Sequence, residues 1–436
     1  MNLKLSKTNV RIFLLILAGI ALLLETGIAS NVGKRYPSEK HTIIDRVTGQ
    51  QITVLTSSQF SDYKPYHTHD TWTSDGNWIV FYSGRGGNGS QIFVVKETTG
   101  DIVQLTDHPG VQAANLSRKE MKLFYIRRGQ PTGGRQVVEL NIGRLIADSM
   151  SDQVKSPADY ERVVTSLPAD RPGGEMALDA DEAYLYWGGC YFRPERTLTH
   201  PVDPGKSDAK GHAKFREDFR AFNQEAGRGK SEINKINIKT GKIDKLIDID
   251  FQMGHLQANP WKPGEIFYCK ETGGDADQRI WSVNADGTGN RPIYVETPDE
   301  WVTHETVSAP DEMMFIISGS REYLREKPSG IAVIDLRTDR VRLLGESLEE
   351  PINSVLGGFW HCNGSPDGRW AVSDTHFGNI ILISRATGEQ ILLSAGHPMR
   401  PDHAHPIFSR DSKRVLIQSG LLTEGKALNL MVLNIP

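Results

Sequence analysis

Cysteine is scarce in this chain. Its 436 residues include three, Cys190, Cys269 and Cys362, an odd number at wide separations. Without a Cys-x-x-Cys pair there is no thiolate zinc or redox motif, and without regular spacing there is no disulfide framework, so stability has to come from apolar packing. No Gly-x-Ser-x-Gly elbow and no P-loop pattern occurs, which excludes a serine hydrolase built on a nucleophile elbow and a phosphate-cradling loop. Basic charge is not in excess: 50 Lys and Arg stand against 54 Asp and Glu, a formal net charge of −4. No broad positive field is available for a nucleic acid, and a polyanionic ligand would need a local basic pocket.

Long hydrophobic runs are also missing, with one exception. Ile12 to Leu24 is apolar throughout, preceded by Lys4, Lys7 and Arg11 and followed by Gly27, Ala29 and Ser30. Basic, apolar and small-residue regions in that order form a signal peptide. A run of about 13 residues falls short of the roughly 20 that span a bilayer. No cysteine follows it, which argues against a lipid anchor. The expectation is a signal peptide over 1–30, a mature domain over 31–436, a periplasmic or secreted location and no stable membrane span after cleavage.

What the sequence does have is a repeat. A turn with Asp-Gly or an equivalent, a short β-rich run, a loop and a second β-rich run recur from about Ile43 onward. Copies open at Ser74-Asp75-Gly76, Ser117-Arg118-Lys119, Asp179-Ala180-Asp181, Lys262-Pro263-Gly264, Ala309-Pro310-Asp311, Ser365-Pro366-Asp367-Gly368 and Ser409-Arg410-Asp411. Short runs bounded by Gly, Pro, Asp and Asn are antiparallel strands. A small sheet of such strands cannot bury both faces alone, whereas seven packed radially can. The fold class is therefore all-β, a seven-bladed β-propeller. The run Gln51 to Thr56 lacks partner strands and the last copy stops at Leu428 to Leu433, so the N-terminal strands are expected to complete the last blade. The third repeat carries a long interval in which Phe215, Phe219 and Phe222 recur at helical spacing, predicting a partly helical insertion that is either a surface excursion or a lid over the channel mouth.

Histidines recur in the second half, and most are expected in loops at the ends of strands. His403-Ala404-His405 precedes the seventh copy, His361 the sixth and His304 the fifth. In a propeller, equivalent segments converge on one end of the axial channel, and imidazoles from adjacent blades suit a divalent first-row metal. Thr303-His304-Glu305 does not begin a helical His-Glu-x-x-His zinc site, because Ser308 stands where the second histidine belongs.

Gly254-His255, Arg279-Ile280-Trp281 with Asn284-Ala285-Asp286-Gly287-Thr288, Thr303-His304-Glu305, His361 before Asp367-Gly368, and His403-Ala404-His405-Pro406 together resemble the oligogalacturonate lyases. The resemblance extends more loosely over most of the mature chain. It implies a lyase that β-eliminates 4-linked acidic oligosaccharides with the help of a divalent metal, manganese in the family. It further implies His361, His403 and His405 as metal ligands, His304 as the base, and His255 and Arg279 in substrate binding. One departure stands out: a glutamine that ligates metal in the family is replaced by Arg400, which has no lone pair to give and becomes a candidate for binding the substrate carboxylate. The other function class compatible with the repeats is a TolB-like, non-catalytic binding propeller without metal.

Overall fold

Alternation along the strands explains the architecture. In Trp78–Ser83, residues Trp78, Val80 and Tyr82 join one apolar cluster while Ile79 and Phe81 join another. The next strand, Gln91–Lys96, divides the same way, with Ile92 and Val94 on one side and Phe93 and Val95 on the other. A two-residue side-chain period on a sheet buried on both faces demands a neighbour on each side. The computed structural model, which describes residues 30–129, 133–171, 173–202, 209–297, 300–318, 329–349 and 358–436, supplies those neighbours as seven sheets in a ring. The expected signal peptide lies outside the described residues, apart from Ser30.

Each interface between adjacent blades has its own apolar cluster, seven clusters for seven interfaces among the described residues. Complete burial of side chains such as Phe81 and Phe93 contributes roughly 1.5–3 kcal/mol apiece. The expected turns all join the first two strands of a blade, as between Phe359–Gly364 and Trp370–Thr375. At two of them Gly76 and Gly368 hold positive φ, +70° and +74°, where a side chain would be strained.

The ring closes as the sequence predicts. His41–Ile44 and Gln51–Val54 form a hairpin that adds to Asn429–Asn434 of the last blade, with Val432 opposite Thr53 and Leu433 opposite Ile52. The third-blade insertion is the helix Ala209–Ala226, between Tyr184–Phe192 and Arg228–Asn237. A second helix, Ile142–Met150 in the second blade, was not expected. Among the described residues no helix is long and apolar enough to cross a membrane.

Candidate active site

His255, His304 and His361 sit on strands that wall the channel and not on loops, whereas His403 and His405 lie in a loop as the sequence suggested. The turns counted as repeat openings follow the innermost strands, so the segment ahead of each turn lines the axis. His255 lies in Met253–Ala258, His304 in Trp301–Ala309 and His361 in Phe359–Gly364, while His403 and His405 precede Ile407–Phe408. These innermost strands neighbour one another from blade to blade.

A single structural position recurs around the ring. Four residues before the residue that opens each inner turn (Thr73, Ser117, Asp179, Asn259, Ser308, Ser365, Ser409) stand His69, Ala113, Glu175, His255, His304, His361 and His405. Five of the seven are histidine. Pairing slips at this place in four blades, between Gln112 and Asn115, Gly254 and Gln257, Thr303 and Thr306, and Phe359 and Cys362. Ala113, His255, His304 and His405 all have φ near +50°. A bulge re-aims a side chain at a cost in backbone strain, and such strain gathers at functional sites.

The imidazoles meet. Ring centroids are 4.0 Å apart for His361 and His405, 5.4 Å for His361 and His403, and 6.1 Å for His403 and His405. Asp374 organises them: it accepts the amide N–H of His361 at 2.7 Å and that of His405 at 3.1 Å, and lies 3.0 Å from His361 Nδ1. That contact puts the His361 proton on Nδ1 and leaves the Nε2 lone pair for a ligand, as a supporting carboxylate does for a metal-bound histidine. Burial and the neighbouring imidazoles hold the pKa of His361 well below the ordinary histidine value, which keeps the lone pair free.

His304 is 4.1 Å from His361, centroid to centroid. Its Nδ1 is 2.5 Å from the Trp360 carbonyl oxygen, which can only accept, so the proton resides there and Nε2 is unprotonated. Burial first, then the charge of Arg279, pulls the His304 pKa down.

Arg279 is buried at 2% exposure. Its Nε donates to Glu305 at 3.0 Å and its NH2 lies 3.3 Å from His255 Nδ1 and 3.5 Å from Glu271. Burial would raise the Glu305 pKa, but Arg279 and His255 outweigh it and keep the carboxylate ionised. The guanidinium thus reaches the histidine cluster already clamped by two carboxylates. Arg400, by contrast, is exposed.

Sequence reasoning passed over several members of the site. Tyr66 packs against His67, His255, His361 and His405 with centroids between 4.3 and 6.0 Å. His67 itself is buried 5.1 Å from His361. Lys64 is buried too, and desolvation brings its pKa to about 7 against the opposing pull of Asp374 and Asp402. A cavity of about 290 Å³ opens here, lined by Lys64, Tyr66, Glu175, Asp402 and His405 among others. The recurring place before the inner turn was the available signal for His69. Nothing in the spacing marks Lys64 or Asp374.

No family model matches the chain. An oligogalacturonide lyase of Pectobacterium atrosepticum is 20% identical over 418 residues, covering 89% of this chain and 94% of that protein. An oligogalacturonate lyase of Dickeya dadantii is 22% identical over 414 residues, with the same two coverages. The structure of an oligogalacturonate lyase in complex with manganese superposes with a TM-score of 0.71 at 21% identity, over 93% of this chain and 98% of that one. By sequence and by fold, this chain is similar to oligogalacturonate lyases. A further oligogalacturonate lyase, from Vibrio parahaemolyticus, superposes with a TM-score of 0.70 at 18% identity, over 93% of this chain and 99% of the other. At such identities the structural likeness establishes the seven-bladed fold, and the site's own geometry carries the chemistry.

Proposed function

We infer that this protein is an oligogalacturonate-type lyase, cleaving 4-linked uronate oligosaccharides by metal-assisted β-elimination to 4,5-unsaturated products. The observation that carries the reading is the meeting of His304, His361, His403 and His405 beside Arg279 at the axis of an oligogalacturonate lyase fold. His361, His403 and His405 are the residues that would hold a divalent ion, and manganese suits them as an imidazole-accepting first-row metal. The donors fit: His361 Nε2 is free by the argument above, and His403 Nδ1 is buried without a hydrogen-bond partner. When bound, the ion supplies fixed positive charge against the substrate carboxylate.

The chain's own groups complete the chemistry. Removing the proton from C5 of a uronate builds negative charge beside a carboxylate, which is prohibitive unless that carboxylate is neutralised in advance. Arg279 offers a fixed cation, held in place by Glu305 and Glu271. His304 Nε2 takes the C5 proton; the C–H pair becomes the C4–C5 double bond, the bond from C4 to the glycosidic oxygen breaks, and that oxygen leaves to be protonated. No water is consumed. His255, ion-paired to Glu305 across 3.1 Å, orients the arginine from the other side. Export from the cytoplasm, read from residues 1–30, places such an enzyme where acidic oligosaccharides would reach it.

The test is direct. Incubating the purified protein with oligogalacturonates and manganese should produce the ultraviolet absorbance of a conjugated unsaturated uronate, with products whose masses sum to that of the substrate. Products heavier by one water would identify a hydrolase, and no turnover with or without metal would favour a non-catalytic binding propeller.

A further inference from the structure

We propose that His67 is a protein ligand of the same metal, joining His361, His403 and His405 from a blade that no sequence pattern implicated. The inference rests on the metal-dependent reading above and deepens it.

His67 is completely buried, and neither of its ring nitrogens has a hydrogen-bond partner. A neutral imidazole carries one ring lone pair and one N–H, and an imidazolium carries two N–H groups, so in either form both nitrogens need partners. Leaving such groups unmet in the interior is destabilising, and an unmet buried polar group in a native fold calls for an ion or water to meet it. The neighbours are the second observation. The ligand atoms of His67, His361 and His405 all lie within 4.8 Å of one another, a spacing that one ion at their centre satisfies. The ring centroids agree, at 5.1 Å to His361 and 6.0 Å to His405.

The ring is also held where it is. Asn363 Nδ2 donates to the His67 carbonyl at 3.3 Å, tying this first-blade segment to the sixth blade, and Tyr66 covers the imidazole at 4.3 Å. First-blade geometry explains why His67 escaped the pattern of the other histidines. There the inner segment is not a regular strand but is pinned by isolated bridges, Tyr63 to Tyr82 and Trp72 to Ile79. The recurring position is taken by His69, whose Nε2 turns away to the Met176 carbonyl at 3.0 Å. His67, two residues earlier in a turn, lies against the cluster instead. Arg400 has no lone pair and is exposed, so a fourth imidazole provides the donor that this chain lacks at that position.

Manganese titration of the full metal-free protein, followed by the paramagnetic resonance of free ion, tests the assignment. The unmodified chain should bind one ion, and His67→Phe should weaken binding at least tenfold without lowering the melting temperature of the metal-free form. An affinity within twofold of the original overturns the proposal while leaving the lyase reading intact; no binding by the unmodified chain overturns both. Should His67→Phe fail to fold, the unmodified protein decides. Labelled with nitrogen-15 histidine and loaded with cadmium-113, it should show four imidazoles coupled to the metal, and three would overturn the assignment.

Discussion

His304 and Arg279 divide the work at the level of single residues, and the division is measurable. With Nδ1 tied to the Trp360 carbonyl, His304 has one nitrogen left, and as a base it acts only in the transition state. His304→Ala should lower kcat at least about a hundredfold while manganese content stays the same; loss of metal would make it a ligand. Arg279→Lys should lose most activity despite keeping its charge, because a lone ammonium cannot satisfy Glu305, Glu271 and a substrate carboxylate from one fork. Near-normal kinetics for that variant would reduce Arg279 to a structural ion pair. Asp374→Asn should weaken manganese binding about 10- to 100-fold, since the carboxylate fixes the His361 tautomer and both histidine segments. The gathering of His304, His361, His403 and His405 was legible because they recur ahead of the repeat turns, and the place of Arg279 only through the resemblance. Asp374 and Lys64 were not: their positions depend on which strands face each other across the channel, and that is a matter of tertiary register.

Elements differ in how firmly they are tied to the ring. The helix Ala209–Ala226 packs its aromatic face inward, with Phe215 and Phe222 buried and Phe219 6.2 Å from Trp301. Trp301 touches Trp360 at 5.8 Å, and Trp360 lies 4.5 Å from His304. Arg220 adds donations to the carbonyls of Ala276 and Glu300. The helix is thus docked along blades four and five next to the histidine cluster, a wall of the site more than a distant excursion. Phe219→Ala should accelerate hydrogen exchange across 209–226 by about tenfold or more with little change in the blades, because the helix is an insertion and not part of the blade packing. Equal acceleration throughout would show that it is integral to the core. Its existence was readable from the three phenylalanines. The helix Ile142–Met150 was not, since it continues directly from the strand Arg135–Asn141 without a break in composition.

For the molecule as a whole, the repeat count and the mode of closure were both legible, because the turn chemistry punctuates every blade and the unpaired strand runs at the two ends complement each other. The seam has a polar staple that the sequence concealed. Asp45 accepts from the Ser394 hydroxyl at 2.6 Å, Ser394 lies 2.7 Å from His397 Nε2, and His397 Nδ1 lies 2.8 Å from the Ser419 hydroxyl. Burial lowers the His397 pKa to about 4. Because this is below the unfolded value of about 6.5, the contribution is complete above pH 6.5 and is lost as pH falls toward 4, when only the unfolded chain takes up the proton. The loss amounts to roughly 3 kcal/mol. Denaturant unfolding of metal-free protein at pH 7.5 and pH 4.5 should therefore show a smaller acid-induced drop for His397→Gln than for the original chain; identical drops would remove His397 from the account.

The seam also sets a schedule. The hairpin His41–Val54 is synthesised long before its partner Asn429–Asn434. The proposed metal ligands straddle the same gap, with His67 on one side and His361, His403 and His405 on the other. A chain that stops short of His403 possesses neither a closed ring nor a complete set of the proposed imidazoles, so the site as proposed is assembled only after the seventh blade has begun to form.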